Sequence, residues 1–176
     1  GIYELSQAIG VSPWYWWADV PVIQKKKVVL NKADIEKTEM PDVKYRGIFI
    51  NDEENFTEWS KQFRDENSPG APNPNTYAKV FELMLRLKAN VLWPAMHQQS
   101  TAFNAFINPE TGYPYNAELA DKYGIIMGSS HCEMLLRNNE TEWEPWCEKN
   151  AKKYNIQKVN GNWKDGYDFT VNPEAM

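Results

Sequence analysis

Four apolar runs end in residues that carry chemistry, and their spacing is what most constrains how this chain can fold. Ile48-Phe49-Ile50 runs into Asn51, Asp52, Glu53 and Glu54. Val91-Leu92-Trp93 runs into Pro94-Ala95-Met96-His97. Ile125-Ile126-Met127-Gly128 runs into Ser129, Ser130, His131, Cys132 and Glu133. Asp168-Phe169-Thr170-Val171 runs into Asn172. The ends fall near 50, 93, 128 and 171, each roughly 35–43 residues from the last, which leaves room for a helix in every interval. Short apolar runs at that spacing read as buried parallel strands. Parallel α/β folds place ligands at the carboxyl ends of their strands, so four ends bearing Asp, Glu, His, Trp and Asn predict one site.

The intervals support this reading. Apolar residues at 77, 80, 81, 84, 85 and 87 predict a helix over Thr76 to Lys88, with Asn75 as its N-cap. Ser68 to Asn75 reads as a loop, and so do residues 98–116. Ala117 to Tyr123, closed by Gly124, predicts a short helix, and Glu142 to Tyr154 another with Pro145 near its start. Asn172-Pro173-Glu174 has the form of an N-cap, a first-position proline and a first-turn acid.

Residues 1–44 read as a lead-in, or as the end of a preceding domain. Ile2 to Ile9 looks like the last turns of a helix before Gly10, and Ser12-Pro13 like the start of another. Val20 to Leu30 holds strand-like residues, and Asn31 to Asp42 is polar and loop-like. Residues 45–176 then hold about four strand–helix units. Eight such units make a (β/α)8 barrel, which typically needs ~250 residues. The expectation is therefore the first half of a barrel and a piece of a longer protein. The chain opens on Gly1 rather than Met and stops where the helix after the fourth strand would begin, which fits that expectation.

Composition removes several alternatives. The net charge is −5 and the longest basic block is Lys25-Lys26-Lys27, which argues against a nucleic-acid partner. No apolar run approaches the ~20 residues of a membrane span. Cys132 and Cys147 form neither a disulfide framework nor a zinc motif. No phosphate-binding Gly loop or Ser nucleophile elbow is present, and nothing calls for a cofactor. Aromatic residues reach 14%, with 8 Trp and 9 Tyr, a supply of flat faces with polar handles on which sugar rings stack.

The candidate site residues follow from the strand ends. Successive residues of an extended strand face opposite ways, so Asp52 and Glu53 do not both enter one pocket. They read either as a solvated acidic turn or as a general acid or base with its supporting carboxylate. His131 and Glu133 share a side of an extended backbone, a pairing that suits proton transfer or substrate binding, or else the first turn of a helix. Trp93 is either a stacking wall for a sugar or barrel packing. Asn172 binds a hydroxyl or caps a helix. His97 lies just past a strand end, as His131 does. A metal site built from His131, Glu133, Asp52 and His97 has no supporting ligand spacing, so no metal is assigned. The competing classes are a hydrolase, a non-catalytic carbohydrate-binding or scaffold module, and a metal-dependent barrel hydrolase.

Several longer segments carry a resemblance. Residues 11–21 (from Val11 through Trp14-Tyr15-Trp16-Trp17 to Pro21), Lys44 to Glu53, Lys79 to Asn90, Trp93-Pro94-Ala95-Met96, Leu119 to Gly128 and Ser130-His131 together resemble glycoside hydrolase family 115 over nearly the whole chain. The resemblance implies an inverting α-glucuronidase that removes glucuronic acid, or its 4-O-methyl ether, from the xylose units of xylan. It implies a (β/α)8 catalytic barrel, glucuronoxylan or its oligosaccharides as substrate, and a secreted or periplasmic enzyme, with a homo-oligomer of the parent left open. It places Asp52 at the family's acidic position on the first strand, His131 at the third strand end and Asn172 after the fourth. Together with the strand-end reading, this assigns catalysis to Asp52 and Glu133, and substrate binding to Asn51, Glu53, Trp93, His97, His131 and Asn172. Two positions depart from the pattern: His97 stands where the family commonly has Trp, and Cys132 where it commonly has a second His. The family's further essential residues belong to later strands, so the isolated chain is expected to be inactive.

Overall fold

Three of the four expected strands form, in parallel and in the expected order. A computed structural model describes residues 1–18, 20–21, 23–36, 38–51, 54–66, 68, 70–96, 103–129, 139–163, 170 and 173. The helices are α1 (Ile2–Ala8), α2 (Lys32–Ile35), α3 (Asn55–Ser60), α4 (Pro74–Arg86), α5 (Tyr115–Tyr123) and α6 (Asn139–Tyr154). The strands are β1 (Gly47–Phe49), β2 (Val91–Trp93), β3 (Ile126–Met127), β4 (Lys158–Val159) and β5 (Asn162–Trp163). β2 is central. Gly47 pairs with Val91 and Phe49 with Trp93 on one side, and Val91 with Ile126 on the other. The ladder runs past the strands: the Ile50 N–H donates to Trp93 O at 2.9 Å, and the Gly128 N–H to Leu92 O at 2.8 Å. The strand expected from the run Asp168 to Val171 lies outside the described residues except for Thr170, and the helix expected from Asn172 except for Pro173.

α4 and α5 are the crossover helices, and α4 supplies most of the core. Tyr77, Val80, Phe81 and Met84 recur at helical spacing and are buried with Leu92, Met96, Phe103, Ala120 and Ile125. The N-cap is Asn73, not Asn75. The Asn73 side chain is buried and accepts from the Thr76 N–H at 2.9 Å, with Pro74 at the first position, where its missing N–H costs nothing. Asn75 donates instead to Phe63 O at 3.0 Å and Asp65 Oδ2 at 2.7 Å. α5 ends at Gly124, whose φ of 68° is the left-handed conformation that favours glycine.

Other details differ from the sequence reading. α6 starts at Asn139 and carries Pro145 inside it, with Trp143 and Cys147 buried one turn apart. Burial, reinforced by Glu144 and partly offset by Lys158, pushes the Cys147 thiol up to about 11. Asn31 to Asp42 is not all loop, since it contains α2. Ser12 starts a turn rather than a helix: its Oγ accepts from the Trp14 N–H at 3.1 Å, but the coil stops by Ala18. A first helical turn is costly and persists only where later turns follow. Val20 to Leu30 forms no strand among the described residues. β4 and β5 form an unforeseen hairpin, joined through Asn160 and Gly161 with φ of 53° and 86°.

The first 18 residues lie against α4. Arg86 donates from Nε to Glu82 Oε1 at 2.8 Å and from a terminal nitrogen to Ser6 Oγ at 3.0 Å. Its guanidinium lies 4.6 Å from the Tyr3 ring centre and 5.2 Å from that of Tyr15, and the Tyr15 hydroxyl donates to Glu82 at 2.9 Å. Among the described residues no helix is long and apolar enough to cross a membrane.

Candidate active site at the carboxyl edge of the sheet

The two faces of the sheet are treated differently. Leu92 is fully buried against the helices, and alternation turns its neighbours Val91 and Trp93 to the opposite face. There Phe49, Trp93 and Ile126 are 48, 48 and 47% exposed, so much of this face is open; on the helix face Leu92 is buried, and only the edge residue Ile48 beside it is exposed. The Phe49 and Trp93 rings meet edge to face, with centres 6.3 Å apart and planes at 68°. Across the sheet the Trp93 indole leans over Gly128. A Cβ placed on Gly128 would fall 2.3 Å from Trp93 Cδ1 and Nε1. The indole therefore spans the ends of all three strands.

Asn51 is exposed and follows Ile50, the residue hydrogen-bonded to Trp93 O, so Asn51 and Trp93 lie at the carboxyl ends of neighbouring strands. Behind Trp93 the rim is anchored. Pro94, Ala95 and Met96 are buried. The Ala95 N–H donates to the Tyr77 hydroxyl at 3.2 Å, Ala95 O accepts from the Phe103 N–H at 3.0 Å, and Asn116 Nδ2 donates to Phe103 O at 2.9 Å. Buried Asn116 Oδ1 has no partner among the described residues.

Of the candidate residues, Asn51 and Trp93 are thus placed, at the ends of neighbouring strands. Asp52, Glu53, His97, His131, Glu133 and Asn172 lie outside the described residues. Asp52 and Glu53 fall in the chain between Asn51 and Glu54, the N-cap of α3 with φ 25°. Among the described residues no group of three or more His, Cys, Asp or Glu could hold a metal ion. Phe49 and Gly128 were not anticipated. The signals for them were faint: Phe49 shares the register of Trp93, and a glycine at a strand end marks close approach of a neighbour. A half-exposed indole at a strand end suits a ligand with an apolar face, such as a pyranose presents.

Parallel βαβ units place this chain in the α/β class, whose members commonly bind ligands at the carboxyl ends of their strands. The glycosyl hydrolase family 115 model matches residues 38–175, and the chain belongs to that family. It is similar to a solved family 115 4-O-methyl-α-glucuronidase with specificity for decorated arabinogalactans, at 37% identity and a TM-score of 0.63. That match covers 99% of this chain and 20% of the other, so the chain spans about a fifth of the relative's length. No curated protein matches it.

Proposed function

We propose that this chain supplies the first part of the catalytic barrel of an inverting glycoside hydrolase that removes (4-O-methyl-)α-D-glucuronic acid side chains from a polysaccharide. Family membership carries the reading. The parallel sheet, with Asn51 and Trp93 at its carboxyl edge, supports it. In this reading residues 45–176 belong to the barrel and residues 1–44 lead into it. Asp52 and Glu133 act as acid or base, and inversion needs such groups roughly 6.5–9.5 Å apart with a water between. Trp93 stacks on the sugar. Asn51, Glu53, His97, His131 and Asn172 bind its hydroxyls and carboxylate.

The three parallel strands among the described residues cannot close a barrel, and the face bearing Phe49 and Trp93 needs a cover. The chain alone is therefore inactive. Glucuronoxylan is the first substrate to try. The specificity of the solved relative favours a second reading, in which uronic acid is cut from a decorated arabinogalactan. The test is uronic-acid release from both polysaccharides by the full-length gene product and by this chain. Release by the full-length protein alone is the expected result. Equal rates from the isolated chain would refute the incomplete-barrel reading, and no release from either polysaccharide by the full-length protein would refute the proposed activity.

A further inference from the structure

We propose that Gly128 and Phe49 are positioning residues that set the angle of the Trp93 indole, and thereby how the site engages the apolar face of a pyranose. The inference rests on the sugar-stacking reading of Trp93 given above. A buried indole is held by packing on all sides, but Trp93 is half exposed. Two neighbours flank its ring on this face. On the β1 side, Phe49 meets it edge to face at 6.3 Å. On the β3 side, the ring occupies the space where any residue other than glycine would carry a Cβ, at 2.3 Å from Cδ1 and Nε1. Carbon atoms prefer separations of about 3.5–4.0 Å, so a methyl group at 128 forces the ring to swing about χ1 or χ2.

Stacking on a sugar requires the two ring planes to lie nearly parallel, and a swing of tens of degrees removes that contact while leaving the acid and base in place. The two residues therefore act on substrate binding more than on bond cleavage. Gly47 makes an instructive comparison. A Cβ there would also strike β2, at 2.3 Å from Val91 O, but against backbone and at the other end of the strand. Gly47 is thus bound to the sheet itself, and Gly128 to a side chain at the rim.

The experiment measures kcat and KM in the full-length protein for Gly128→Ala, Phe49→Leu, Trp93→Ala and the Trp93→Ala double variants, on whichever of glucuronoxylan and glucuronidated arabinogalactan the enzyme hydrolyses. Each positioning variant should raise KM roughly tenfold while kcat changes by less than about threefold. In the Trp93→Ala background, adding Gly128→Ala or Phe49→Leu should change KM no further. A Gly128→Ala effect that persists without the indole would show that Gly128 acts through the backbone and overturn the inference. So would wild-type KM in both positioning variants alongside an impaired Trp93→Ala. A Trp93→Ala variant with unchanged KM would instead overturn the stacking reading on which the inference rests. If Gly128→Ala does not fold, Phe49→Leu and its cycle with Trp93→Ala decide the question.

Discussion

The backbone N–H of Ala95 donates to the hydroxyl of Tyr77 at 3.2 Å, and both residues are buried. This single bond ties the main crossover helix to the rim that follows β2. Replacing Tyr77 with Phe keeps the ring and orphans a buried amide, at a cost of about 1–3 kcal/mol. Hydrogen exchange in the peptide covering residues 92–96 should accelerate by one to two orders of magnitude, since ~1.4 kcal/mol is tenfold in a local opening equilibrium. Unchanged exchange would mean that the rim is held by something else.

Asn73 should prove more important than Asn75. Asn73 Oδ1 accepts from both the amide and the hydroxyl of Thr76 at 2.9 Å, while Nδ2 donates to Gly70 O at 2.8 Å. Asn73→Ala should cost about 2 kcal/mol, toward the upper end for a lost N-cap, because the donors and volume go too. Asn75→Ala, with a partly exposed side chain, should cost less than about 1 kcal/mol. Denaturation midpoints of the two variants side by side test the order.

Arg86→Ala should loosen the first 18 residues. The guanidinium is little exposed and joins Glu82, Ser6, Tyr3 and Tyr15 in one cluster. Removing it leaves Glu82 with the Tyr15 hydroxyl alone from that group, a loss of about 1–3 kcal/mol. Limited proteolysis should then cut within residues 1–18 before the rest of the fold. If the cleavage pattern is unchanged, this segment owes its position to other contacts.

Cys147 sets an alkaline limit. Its thiol is raised from an ordinary value of 9.0 to about 11, so the folded state holds the proton more tightly than the unfolded state does. The associated stability is complete below pH 9 and declines as pH rises from there toward 11. Alkylation of Cys147 should be negligible at pH 8 in the folded protein and rapid once denaturant is added. Replacement by Ala or Val should flatten this part of the stability–pH curve.

Asp52→Asn and Glu133→Gln each test the proposed chemistry. If these carboxylates are the acid and base, each substitution in the full-length protein should lower kcat by roughly 10²–10⁴-fold with melting temperature little changed. Wild-type turnover in either variant would remove that residue from the mechanism.

The elements with strong periodicity were legible from residues alone. The three described strands fall where apolar runs predict them, α4 shows its stripe, and Gly124 marks the end of α5. What was hidden depends on contacts between distant residues. Two asparagines flank Pro74, and only burial of the first decides which one caps the helix. The hairpin of β4 and β5 has strands of two residues each, too short to show alternation, although Asn160-Gly161 is a strong turn signal. Trp93 and Asn51 stood out by type and position. Phe49 and Gly128 did not, because a ring edge and a missing side chain matter only once the register sets them beside Trp93.

The bare face of the sheet also gives the chain a timetable. Translation runs from the amino end, so β1 to β3 leave the ribosome before any later strand of the proposed barrel exists. Until those strands arrive, Phe49, Trp93 and Ile126 are open to whatever is nearby, a hazard of non-local sheets that fold slowly. The indole proposed to stack on a sugar in the finished enzyme thus spends part of its synthesis as an exposed apolar surface.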